Sequence, residues 1–205
     1  MMPLAVVLAI ALAVGLFMFL PVQIYSWLAK LFPGIEDMYV LRSVVEGVVK
    51  IVIFVGYIWA TSLMKDIRRT YMYHGAEHKT IFCYEAGLPL TVENVRKQKR
   101  QHPRCGTSFL MLMLLVGIVV GIFIRVSNRF ARTGIRLLVF PLIISIGYEL
   151  IKLAGRKDNL FTKIISAPGL ALQLLTTKEP EDGMIECAIA AMERVIPQDQ
   201  NSDLW

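Results

Sequence analysis

A chain of 205 residues with 56% hydrophobic and 19% charged side chains, at a mean hydropathy of +0.57, is too apolar for an ordinary soluble domain. Its net charge of +6 does not argue for nucleic acid, because the basic residues crowd beside apolar runs, where they report topology and contact with anionic headgroups. Three cysteines without scaffold spacing or a CxxC pair exclude a disulfide-built secreted fold and read as reduced thiols.

The expected fold class is all-α: a polytopic membrane protein of about four transmembrane helices, a cytoplasmic metal-binding helical hairpin and a C-terminal amphipathic helix, in one domain. The first span is expected over 4–20. It is read as a span rather than a signal peptide because no basic n-region precedes it and no small-residue cleavage site follows. Pro21 should end it, leaving VQIYSWLAKLF as an interfacial helix before Pro33-Gly34 breaks the chain. A second span, 42–64, contains Glu46 and Lys50 at i,i+4, which either pair with each other or lie in the headgroup layer. Gly47 and Gly56 permit close packing there.

The run Lys65 to Arg69 ends that span and opens a loop, 65–106, expected to bind metal in the cytoplasm. Ala86-Gly87-Leu88-Pro89 should stop its first helix and Thr91 should cap another, followed by a basic face suited to lipid headgroups or an anionic substrate group. The third span, 107–124, begins where Gly106-Thr107-Ser108 places hydroxyls to cap it. Arg125, Arg129, Arg132 and Arg136 separate it from a fourth, 137–151. Glu149 near the end of that span is a neighbour of the metal or a partner for a basic residue such as Lys152. The tail, 159–205, is interfacial and soluble: an apolar stretch to 175, broken at Ser166-Ala167-Pro168-Gly169, reads as a re-entrant or surface-lying pair of short helices rather than a fifth span. Met184–Val195 follows as an amphipathic helix, and 197–205 is expected to be disordered. Lys and Arg number nine in 65–104 and six after Ile151, against two in 21–42 and four in 125–136. Positive-inside bias then puts the metal stretch and both termini in the cytoplasm.

Residues 73–109 hold all three histidines and two of the three cysteines. His74-Gly75-Ala76-Glu77-His78 spells HxxEH, the inverted form of a zinc motif. On a helix the two histidines share a face, one turn of about 5.4 Å apart, which suits two imidazoles closing on one ion. Glu77 is placed as a third ligand or as the base that takes a proton from water on the metal. His102 and Cys105 are the further ligand candidates, the sharpest expectation being that the three imidazoles converge on one divalent cation, zinc by preference. Glu85, Arg104 and Glu149 are candidates for the surrounding shell.

HGAEHKTIFCYE, RQHPRCGTSF, YELIKL at 148–153 and SAPGLALQLLTTKEPEDGMIECAIAAM resemble the YqhQ family of uncharacterised bacterial membrane proteins, described by prediction as metal-dependent enzymes. The resemblance covers nearly the whole chain and implies a multi-pass protein of the bacterial inner membrane. Members of that family typically carry a polar N-terminal region ahead of the first span, so a truncated form is implied. Two functions follow. One is a membrane-embedded zinc-type hydrolase with lipid, isoprenoid-phosphate or membrane-peptide substrates; the other is a scaffold or biogenesis factor with a closed, structural ion site. Membrane lipids are the expected partners, with homo-oligomers compatible and nucleic acid not expected.

Overall fold

A computed structural model of the chain describes residues 2–35, 37–126, 128–157 and 159–197; the disorder expected over 197–205 falls, past Pro197, outside them. Among the described residues the secondary structure is entirely helical. α1 (Met2–Val14) passes through a π-helical segment, Gly15–Phe19, into α2 (Leu20–Leu31). There follow α3 (Tyr39–Ser62), α4 (Lys65–Glu85), the short α5 (Val92–Arg96), α6 (Gly106–Phe123), α7 (Arg129–Arg156), α8 (Leu160–Thr176) and α9 (Asp182–Val195). Four stretches of the described residues are long and apolar enough to cross a membrane: Pro3–Leu31, Tyr39–Ser62, Gly106–Phe123 and Ala131–Arg156.

The first of these is longer than expected because Pro21 does not stop it. The π segment shifts the bonding by one residue, with the Leu20 N–H donating to the Gly15 carbonyl, and Pro21 enters at the first turn of α2, where its missing N–H costs little. The fourth stretch is also longer. Arg132 and Arg136 do not form a loop before it but lie inside α7, turned toward Glu46 of α3. The break expected at Ser166-Ala167-Pro168-Gly169 does not occur: α8 runs through it as one helix with Pro168 inside, started by the reciprocal cap of Asn159 and Thr162.

The chain divides into two compact units, Met1–Tyr57 with Met111–Glu149, and Ile58–Leu110 with Leu150–Trp205. In the first, α3 and α6 approach closely: a Cβ on Gly47 would run into the Ile118 side chain, and one on Gly121 into Ser43. The Ser43 hydroxyl donates to the Ile118 carbonyl at 3.0 Å. Gly56 has open space instead. Glu46 is buried, and the basic side chains paired with it come from α7 rather than from Lys50 on its own helix. Its carboxylate lies 2.8 Å from Arg136 Nη1 and 3.8 Å from Arg132 Nη2, which fastens α3 to α7. The Tyr25 hydroxyl donates to the Ile35 carbonyl at 2.5 Å while the Arg42 guanidinium stacks over its ring.

In the second unit, α4, α5 and α9 enclose a small core of Ala76, Cys83, Val95, Met184 and Ile185. α4 ends as its sequence dictates: Gly87 takes φ +65°, and the Gly87 and Leu88 N–H groups donate back to Tyr84 and Cys83. Thr91 caps α5 through the Asn94 N–H. Lys79 is buried in this unit, donating to the Arg96 carbonyl at 2.9 Å and pairing with Glu179.

Candidate metal centre

HxxEH lies in the middle of α4, so the helical period brings His74 and His78 to the same side, their rings 4.3 Å apart edge to face. Gly75 between them is the residue that lets the chain segment after α8 come in. A Cβ there would overlap the Lys178 carbonyl, which is held in place because the Lys178 N–H donates to the Tyr71 carbonyl at 2.8 Å.

Both imidazoles are oriented by backbone. His74 Nδ1 lies 2.8 Å from the Thr176 carbonyl, and His78 Nδ1 lies 2.6 Å from the Arg100 carbonyl. A carbonyl only accepts, so each Nδ1 carries a proton, and in the neutral imidazole each Nε2 keeps its lone pair. His74 Nε2 faces Cys105 Sγ at 3.2 Å. The nearest ligand atoms of His74, His78 and Cys105 all lie within 4.8 Å of one another, and these three form the one group able to hold an ion among the described residues. Cys105 stands immediately before α6, where the unpaired N–H groups of a helix start favour negative charge.

The electrostatics suit a metal ligand. Burial pushes the Cys105 thiol up, but hydrogen bonds from His74, His78 and Thr107 outweigh it and bring the thiol from an ordinary 9.0 down to about 5. Burial also pulls His74 down as its largest single influence. The contacts with Cys105 and the Thr176 carbonyl, with the charges of Cys105 and Glu77, overcome it, and His74 is held above the ordinary imidazole value. Cys83, buried without such partners, is pushed up.

His102 stands outside this group. Its Nδ1 accepts from the Arg104 backbone N–H at 3.2 Å and its Nε2 lies 3.2 Å from Glu85 Oε2, so both ring nitrogens are engaged. The expected convergence of three imidazoles is thus replaced by two imidazoles and a thiol, with the His102 ring 5.8 Å from that of His78. Burial, only partly offset by Glu85, keeps His102 below its ordinary value. Glu85 also pairs with Arg104, so these two surrounding-shell candidates do meet, around His102. Glu77 is exposed on α4 and outside the ligand group, although its charge is felt at His74. Glu149 is exposed on α7 and outside the group as well.

Over residues 1–198 the chain matches the model of a family described as "Protein of unknown function (DUF1385)". The chain belongs to this family. It is 37% identical over 194 residues to the "Uncharacterized protein YqhQ" of Bacillus subtilis (strain 168), a match that takes in 94% of this chain and 60% of that relative. The chain therefore spans less than two thirds of the relative's length. No solved structure matches it.

What sequence reasoning missed in this member of the family is the support behind the candidate ligands. Gln173, fully buried on α8, accepts the His102 N–H at 2.7 Å and donates to the His102 carbonyl at 2.7 Å and to Ser108 Oγ at 2.6 Å. Ser108 is therefore tied to Gln173, and Thr107 Oγ1 lies 3.2 Å from Cys105 Sγ. An amide in an otherwise apolar run was the available signal for Gln173. Thr176 and Arg100 act through their carbonyls, which no residue type announces.

Proposed function

We propose that the chain is a metal-dependent hydrolase of the bacterial inner membrane, its site at the cytoplasmic membrane surface, with His74, His78 and Cys105 as ligands to a divalent ion, zinc by preference. The observation that carries this reading is the pair of Nδ1 groups held by backbone carbonyls. That arrangement fixes each imidazole in the tautomer a metal needs and aims both Nε2 lone pairs beside a thiol that ionises below neutral pH. Three protein ligands are the donor count of a catalytic zinc site, which keeps its fourth position open; a structural site closes all four. His102, the one other imidazole, is held by Glu85 and the Arg104 N–H, which argues against closure. When bound, the ion would supply Lewis acidity and lower the pKa of water. Glu77, beside the ligands on the exposed side of α4, is the base in this reading. A site at the bilayer surface favours lipid, isoprenoid-phosphate or membrane-peptide substrates.

The second reading, a structural staple, draws on the origin of the ligands: α4 gives two and the turn before α6 gives one, so an ion would fasten these segments together. Cobalt-loaded protein separates the two. A thiolate-to-cobalt band that disappears in Cys105→Ser, with a visible spectrum that changes when azide is added, supports an open position. A spectrum indifferent to azide supports the staple, and failure to bind cobalt at all defeats both. Glu77→Gln should keep the ion.

A further inference from the structure

α8 is built inside out. Its buried face is Thr162, Gly169, Leu172, Gln173 and Thr176, while Leu160, Phe161, Ile164 and Leu174 are exposed. Residues 160, 164, 167, 171 and 174 recur at helical spacing and make one continuous exposed stripe of Leu, Ile, Ala, Ala and Leu. In water the informative departures are buried polar and exposed apolar groups, and here they occupy opposite faces of one helix.

The two ends of the helix decide how it lies. α7, long and apolar enough to cross a membrane, ends at Arg156, and only residues 157–159 separate it from α8. Gly155, one residue before that end, packs against the Arg104 side chain so tightly that a Cβ there would collide with it, and Arg104 stands just before the start of α6, another such stretch. Farther along, Gly169 packs on Ser108, and Gln173 binds both Ser108 and His102. α8 thus follows directly on the end of α7 and packs, through Gly169 and Gln173, beside the start of α6, so the elements on either side of it are the ends of two candidate spans. At about 25 Å, its 17 residues also fall short of the roughly 30 Å of a hydrocarbon core.

We infer that α8 lies in the plane of the membrane, its Leu160–Leu174 stripe sunk among acyl chains and its exposed Arg156, Lys157 and Lys163 against anionic headgroups. Gln173 and Thr176 reach from its other face to His102 and His74, so the same helix that rests on the leaflet holds the candidate metal centre against it. The disposition of α8 does not depend on whether an ion is bound.

Nitroxide labels on Ile164→Cys and Leu174→Cys test this in vesicles containing phosphatidylglycerol, on a Cys187→Ser background. Cys83 and Cys105 are buried, so labelling is directed to the introduced thiols. Both labels should be more accessible to oxygen than to a water-soluble nickel chelate, and should report the same shallow depth. Free access of the chelate to both labels, depths that differ by the length of the helix, or shielding from both reagents by a second copy would each overturn the inference. Joining Lys157→Glu to Lys163→Glu should raise chelate access at position 164 in anionic vesicles but not in purely phosphatidylcholine ones. An equal effect in both overturns the headgroup contact.

Discussion

Removing the His74 imidazole should protonate Cys105. In the intact, metal-free protein the thiol ionises at about 5, so at pH 6 it is about 90% thiolate, against well under 1% for a thiol at its ordinary value. A hydrogen bond to a charged group is worth about 1.5–3 kcal/mol, and one pKa unit corresponds to about 1.4 kcal/mol, so His74→Ala should raise the midpoint by about 1–2 units. At pH 6 the thiolate fraction then falls to between about 50% and 10%. The ultraviolet thiolate band follows this directly between acid and neutral pH, with Cys105→Ser as the blank. Cys83 does not interfere, because burial moves its ionisation the other way. A midpoint near the ordinary thiol value in the unaltered protein, or one unmoved by His74→Ala, would refute the account of how the centre is charged.

The same charges set the protons released on metal binding. At pH 6 Cys105 is already ionised and His74, held above its ordinary value, still carries its extra proton, so zinc should displace about one proton from the pair. Release should diminish as pH rises past His74 and increase as pH falls through about 5, measured by calorimetry in buffers of different ionisation enthalpy. Gly75→Ala sets a methyl group against the fixed Lys178 carbonyl and should cost about 1–3 kcal/mol, seen as a lower denaturation midpoint in micelles together with weaker cobalt binding. Glu46→Ala removes the buried carboxylate that pairs with Arg136 and Arg132 and should cost about 3–5 kcal/mol in detergent unfolding; an unchanged midpoint would show that the α3–α7 ion pair contributes nothing net.

The parts of the fold visible in the sequence were those written in side-chain periodicity. Four apolar stretches, the turn at Gly87, the cap at Thr91 and the shared face of His74 and His78 all follow from local spacing. The break expected at Pro168 is absent from α8, and two helix limits were misplaced for a common reason: a residue that usually ends a span was accommodated by something non-local or by unusual bonding. Pro21 enters after a π turn, and Arg132 and Arg136 find a carboxylate on another helix. At the site, spacing identified the ligand candidates but could not choose between His102 and Cys105. That choice follows from which ring nitrogens Glu85 and the Arg104 N–H already occupy.

Gln173 offers a way to compare other chains of the family. Its carbonyl oxygen and its amide nitrogen are both committed to the segment around His102, and the nitrogen reaches two acceptors. Asparagine would be one carbon too short to reach, and glutamate would present oxygen where two donated hydrogens are needed. A chain with glutamine here can brace that turn in the same manner; one with leucine must have found another brace or let the turn go.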